Sequence, residues 1–265
     1  MGRTLGSNVG ATVLNQDIYE ISATQKHRLG TRVVRGDRVF RYAKAGMAFT
    51  SNAYPCWAPQ NQTISASSVQ AAAPAGQNFV LVTVGSNEGL ANNGVFAKDD
   101  LAGGSILIAL TNAYGELFNF VIQGNDALAS AGTLKIYLDG ELPVALTTSS
   151  YVEAHASLYA DTRVGNGGGF VMFLGLPMRL ATVAAPYYWV QTWGPVWFGS
   201  QPAVGEGWHA QECIFRDEGS LGLRTDAAAP GGTAYTINAQ TAGVVMCHAQ
   251  NNTQGAPFLF LQVAP

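Results

Sequence analysis

Short apolar runs punctuated by turn residues set the possibilities for this chain. From Asn78 onward it reads "NFVLVTVG", "SILIALT", "GELFNFVIQG", "GTLKIYLDG", "FVMFLG", "YYWVQTWG", "AYTINAQ", "GVVMCHAQ" and "FLFLQV". Each run is rich in β-branched and aromatic residues and is closed by Gly, Asn or Asp. A recurrence of roughly 10–20 residues, with no convincing amphipathic helix between runs, predicts an all-β fold of antiparallel strands, a sandwich or a barrel.

Ahead of these runs, residues 1–28 have weak periodicity and read as an extended N-terminal arm; "QDIYEISATQKH" offers at most a short helix. Residues 29–46, "LGTRVVRGDRVFRYAKAG", alternate on both sides of a Gly-Asp pair, which predicts a β-hairpin with its turn at Gly36 and Asp37. That turn accounts for the tripeptide Arg35-Gly36-Asp37 without any adhesion receptor. Residues 47–75 read as loop, running into the small-residue linker "SASSVQAAAPAG". The stretch "TSSYVEAHASLYADTRVGNGGG" is less ordered, with room for a short helix. The expected organisation is therefore arm, hairpin and linker over 1–75, a β-rich domain over 76–183 and a C-terminal β-rich domain over 184–265. The last two are open to being one intertwined unit.

Composition narrows the function. Charged residues make up 12% of the chain, against about 25% in an ordinary globular domain. With 10 Tyr and 5 Trp, this matches the depletion of charge and enrichment of aromatics found in buried interfaces. It predicts a protein that hides surface in a homo-oligomer. No apolar run approaches the roughly 18 residues of a membrane helix, and the N-terminus has neither a signal-peptide h-region nor, with Gly6 in place of Ser or Thr, a myristoylation site.

A net charge of −3 argues against bulk nucleic-acid binding, which needs a basic footprint. Basic residues do cluster from Lys26 to Lys44, and their alternation with apolar residues suits a strand docking on an acidic protein surface. The 3 cysteines, Cys56, Cys213 and Cys247, have no zinc spacing and read as buried free thiols.

Catalytic patterns are weak. "GNGGG" at 165–169 lacks the Lys-Ser/Thr of a phosphate loop. In "GWHAQEC", His209 and Cys213 would share a strand face while Glu212 points away, so the group does not converge. There is no G-x-S-x-G elbow and no His pair at metal spacing, and Asp99-Asp100 reads as a turn. The reading is a non-enzyme without cofactor or metal.

The densest feature is "PYYWVQTWGPVWFG", apolar on both strand faces. Buried, such rings fill a core or an intersubunit contact; exposed, they stack on sugars or anchor partners. The candidate assembly contacts are accordingly Arg28, Arg32, Arg35, Arg38 and Arg41 from the basic stretch, and Tyr187, Trp189, Trp193 and Trp197 from the aromatic one.

Two stretches, "HRLGTRVVRGDRVFRYAKAG" and "APYYWVQTWGPVW", resemble virion structural proteins of tailed bacteriophages, of the head decoration or cement type. Leu29, Gly30, Thr31, Arg38, Val39, Phe40, Arg41, Tyr42 and Ala43 carry the first match. Tyr188, Trp189, Gln191, Thr192, Gly194 and Pro195 carry the second. The first turn departs from the pattern, with Gly36-Asp37 where Asp-Gly is usual. The resemblance implies a decoration protein on the capsid surface, assembled in the host cytoplasm, with itself (a trimer being the expected order) and the major capsid protein as partners. It brings no catalytic residues. The alternative is a tail or fibre component that binds host glycans through an aromatic β surface.

Overall fold

A computed structural model describes residues 15–59, 63–111, 116–165, 171–197, 212–215, 221–223, 240–247 and 258–265. Among them every regular element is a strand, and the strands form two curled antiparallel sheets, each a half-barrel. The chain divides into two compact units: Met1–His27, Thr31–Ala58 and Thr162–Pro265 form the first, and Arg28–Gly30 with Pro59–Asp161 form the second. The breaks fall at 58/59 and 161/162, away from the expected 75/76 and 183/184. The N-terminal hairpin belongs with the C-terminal strands because it pairs with them.

The second unit contains β4 (Ile64–Ser68), β5 (Phe79–Val84), β6 (Ser105–Ala109), β7 (Leu117–Asn125), β8 (Gly132–Leu138) and β9 (Tyr151–His155). They form a 6-stranded sheet in the order β4-β9-β6-β7-β8-β5. Val80, Val82, Ile106, Ile108, Leu134, Ile136 and Val152 are buried in its core, at the alternate positions expected of strands with one face inward. A bridge between Val69 and Val82, and a 2.8 Å hydrogen bond from the Gln70 N–H to the Leu81 carbonyl, join the two ends of the sheet. This contact gives partners to part of the two edges, groups that would otherwise await one.

Two expectations fail in this unit. The supposed linker contains β4, whose Ala66 adopts a φ of 47° where the register shifts between Ile64 and Ser67; small polar residues and a bulge conceal a strand that packs only Ile64. The stretch read as a short helix contains β9, which sits between β4 and β6 and takes both as partners.

The first unit comprises β1 (Arg32–Arg35), β2 (Arg38–Lys44), β3 (Cys56–Pro59), β10 (Arg163–Val164), β11 (Val171–Pro177), β12 (Tyr187–Trp197), β13 (Glu212–Phe215), β14 (Leu221–Leu223), β15 (Thr241–Cys247) and β16 (Phe258–Gln262). Its sheet runs β10-β3-β11-β12-β16-β15-β13-β14, with β2 joining β12 and carrying β1. Of the expected strands, "AYTINAQ" lies outside the described residues except for its final Gln240. β12 is the hub. It pairs with β11 at Leu176↔Gln191, with β16 from Trp193↔Gln262 to Trp197↔Phe258, and with β2 from Tyr187↔Lys44 to Trp193↔Val39. The two stretches that carried the family resemblance therefore lie side by side.

The hairpin forms as its sequence predicts, with Arg35 opposite Arg38. Gly36 has φ +60°, and Asp37 is not among the positive-φ residues. A positive φ at the first central residue alone is the type II′ pattern, so the order Gly-Asp suits this turn where Asp-Gly would suit type I′.

Candidate functional site

Residues 15–27, which the sequence suggested as an extended arm or short helix, are neither. They form a strap over β2 and β12. Ile18 is buried, and Ser22 bridges Tyr187. The buried Gln16 organises the contact. Its Oε1 accepts a 2.7 Å bond from the Tyr42 hydroxyl, and its Nε2 donates to the carbonyls of Glu20 at 2.9 Å and Tyr187 at 3.0 Å. Its own carbonyl accepts from Trp189 Nε1 at 3.2 Å. Burial, first of all, raises the Tyr42 phenol pKa, which keeps its proton available as that donor. His27 packs edge-on to Tyr42 at 5.1 Å and tilted on Trp189 at 5.2 Å. Its Nε2 is buried without a hydrogen-bond partner, and desolvation lowers its pKa. Residues 1–14 lie outside the described residues.

The five arginines do not form one open patch. Register places Arg32 opposite Arg41 and Arg35 opposite Arg38, an arrangement of like charges that is unfavourable unless each finds an acceptor. Arg35 pairs with Asp17 at 3.2 Å. Arg38 donates to the Tyr19 hydroxyl at 3.3 Å and lies over the Phe40 ring at 5.2 Å. Arg41 donates to the Pro265 carbonyl at 3.1 Å. Arg28 belongs to the other unit, where it donates to the Ile122 carbonyl at 3.1 Å. Arg32 is exposed on β1. With Arg35 ion-paired, the Arg-Gly-Asp tripeptide is a turn whose arginine is engaged by its own chain.

The aromatic stretch divides likewise. Trp189 is fully buried, so as a core residue it cannot be a direct assembly contact. Tyr187 is half-buried, stacked on Tyr42 at 6.1 Å. Past a register shift between Gln191 and Trp193, the strand presents different residues outward. Gln191 spans the irregularity, with its side-chain N–H donating to the Trp193 and Pro195 carbonyls at 3.1 and 2.9 Å. Thr192 donates to the Ala264 carbonyl at 2.6 Å. Val196, Leu259, Leu261 and Ala242 face the core. On the other face, Trp193 meets Phe260 edge-on at 5.7 Å, and Trp197 lies directly opposite Phe258. Those last two are 47% and 48% exposed. Val244, opposite Phe260, is also exposed, as is Met246.

Where the two faces meet at the end of β12, a groove of about 280 Å³ is lined by Tyr19, Arg38, Asn52, Met178, Trp197 and Phe258, with the core residues Leu176 and Val196 also contributing. The sequence had singled out Arg38 and Trp197; Tyr19, Asn52 and Phe258 were missed. Tyr19 lay in the supposed arm and Asn52 in a supposed loop, and the pairing of Phe258 with Trp197 has no local signature.

The suspected chemical cluster does not assemble among the described residues. Cys213 is fully buried in the core, and Glu212 accepts a 2.9 Å bond from the Thr241 hydroxyl; His209 lies outside the described residues. So does most of "GNGGG", of which Gly165 takes a φ of +90° and accepts from Trp57 Nε1 at 3.0 Å. No group of three or more potential metal-binding side chains occurs among the described residues, and no helix there is long and apolar enough to cross a membrane.

Fold and surface together define an all-β protein of two units, one with a half-open apolar sheet face. Compared with known proteins, the chain matches no family model, no curated protein and no solved structure.

Proposed function

We propose that the protein is a structural component of a tailed-bacteriophage virion. In this reading it is a capsid decoration or cement protein, made in the host cytoplasm and assembled on the major capsid protein as a homo-oligomer, with a trimer expected. The reading needs no catalytic residue, cofactor or metal. The observation that carries it is the apolar face of β12, β16 and β15, where Trp197, Phe258, Val244 and Met246 stay open to solvent. Contiguous apolar surface of this kind marks an interaction site, and the chain has few charges with which to replace it.

Light scattering at micromolar concentration tests the oligomer. A mass several times the 27.9 kDa of one chain, reduced by Val244→Lys or Met246→Lys, is expected. A 27.9 kDa particle unaffected by either change would overturn it.

The groove favours a second reading, a tail or fibre component that binds host glycans. Half-open aromatic rings beside planar polar side chains suit stacking on a sugar as well as they suit a protein partner.

A further inference from the structure

We infer that the groove between Tyr19, Arg38, Trp197 and Phe258 binds an acidic saccharide, with the sugar ring on the aromatic side chains and its carboxylate on Arg38. The inference rests on the glycan-binding reading, in which Trp197 and Phe258 meet a saccharide instead of another subunit, and specifies the ligand class.

Tyr19, Trp197 and Phe258 line one groove, and each is close to half exposed. Aromatic rings present a wide apolar face at little conformational cost, which matches the C–H face of a pyranose. At about 280 Å³ the groove lies near the lower end of the usual ligand-pocket range of about 300–1,000 Å³. That suits a short saccharide segment.

Charge selects the kind of sugar. Among the described residues that line the groove, Arg38 alone is charged and none is a carboxylate. Its guanidinium is already placed, by the Tyr19 hydroxyl at one side and the Phe40 ring beneath. A planar fork held in this way suits bidentate recognition of a carboxylate. A neutral sugar would cover the same rings and leave that cation without an anion. The nearby carboxylate of Asp17 is taken by Arg35 and so does not compete.

The test is calorimetric titration of the full-length protein with tri-galacturonate, the neutral trisaccharide maltotriose and tri-glutamate. The uronate should bind at least about tenfold more tightly than maltotriose, the worth of one charge-assisted contact. Arg38→Gln should bring uronate binding down to the maltotriose level. Trp197→Ala should weaken both sugars about tenfold or more through lost stacking, with unchanged circular dichroism; Phe258→Ala provides an independent check at the facing ring. Equal binding of the two sugars would overturn the acidic preference and leave the glycan reading in place. No binding of either sugar would overturn both. Tri-glutamate binding as tightly as the uronate would overturn the saccharide assignment in favour of an acidic peptide.

Discussion

Trp189 and Gln16, 173 positions apart, are joined by a hydrogen bond from the indole N–H to the Gln16 carbonyl at 3.2 Å. This bond and the Tyr42–Gln16 bond at 2.7 Å anchor residues 15–27 to the first unit through the buried Gln16. Over residues 15–27 the expected extended arm is thereby replaced by a segment held by its own chain. Gln16→Ala should destabilise the protein by about 2–3 kcal/mol, because buried hydroxyl and carbonyl groups lose their partner. Deletion of residues 1–28 should expose Trp189. Urea denaturation followed by tryptophan fluorescence checks both; a deletion variant with native emission and an unchanged midpoint would contradict them.

Two glycines beside the same hairpin should respond differently. Gly36 has φ +60° with no atom within 4 Å of an added Cβ, so Gly36→Ala should cost only the left-handed penalty of about 1–2 kcal/mol. Gly194 has φ +91°, and a Cβ there would run into the Asp37 carbonyl. Gly194→Ala should therefore cost about 3 kcal/mol or more, as strain and overpacking add. Thermal unfolding of the pair gives the order directly.

Acid should loosen the strap. The folded-state pKa of His27 lies below its ordinary value of 6.5, so as pH falls past 6.5 the unfolded chain takes up a proton that the folded chain does not. By linkage this contribution to stability is present above pH 6.5 and is lost as pH falls toward the folded-state pKa. His27→Phe should show less loss of stability than the parent between pH 7.5 and 5.5 in urea titrations. Identical pH dependence would show that His27 is not the group responsible.

Burial pushes the Cys56 and Cys213 thiols up to about 12, and both side chains are fully buried. Neither thiolate is available at neutral pH. Both should resist a thiol reagent in the native protein and react promptly in denaturant, as read by peptide mass spectrometry. Rapid native labelling of Cys213 would contradict its place in the core.

The exposed Arg35–Asp17 pair should matter little. With both side chains nearly half exposed, Arg35→Ala should cost under about 1 kcal/mol, and Asp37→Ala should leave any attachment to cells unchanged. Loss of attachment in either variant would restore the adhesion reading of the tripeptide.

Features carried by local chemistry were legible in the sequence. Period-two alternation revealed most strands, and Gly36-Asp37 located the hairpin turn. β4 and β9 escaped because Ser-rich or mixed residues with few apolar positions look like linker until their partner strands are known. The strap escaped for a different reason: Gln16 acts through bonds to Tyr42, Tyr187 and Trp189, and a polar residue in a weakly periodic stretch gives no sign of burial. Strict alternation along "YYWVQTW" puts Tyr187, Trp189 and Trp193, together with Gln191, on one face. The register shift past Gln191 separates Trp193 from the other two aromatic residues, and no residue type in "VQTWGP" announces it. The arginines were recognised as a group, yet which of them an acceptor would engage depended on Asp17, Tyr19 and Pro265.

The most direct test of the central claim, that this is a virion structural protein of the capsid surface, is to image particles bearing the protein, with and without the Val244→Lys change. Density at symmetric positions on the head, reduced or lost in the variant, is the result expected. Density confined to the tail, or absent from the particle, would contradict the claim.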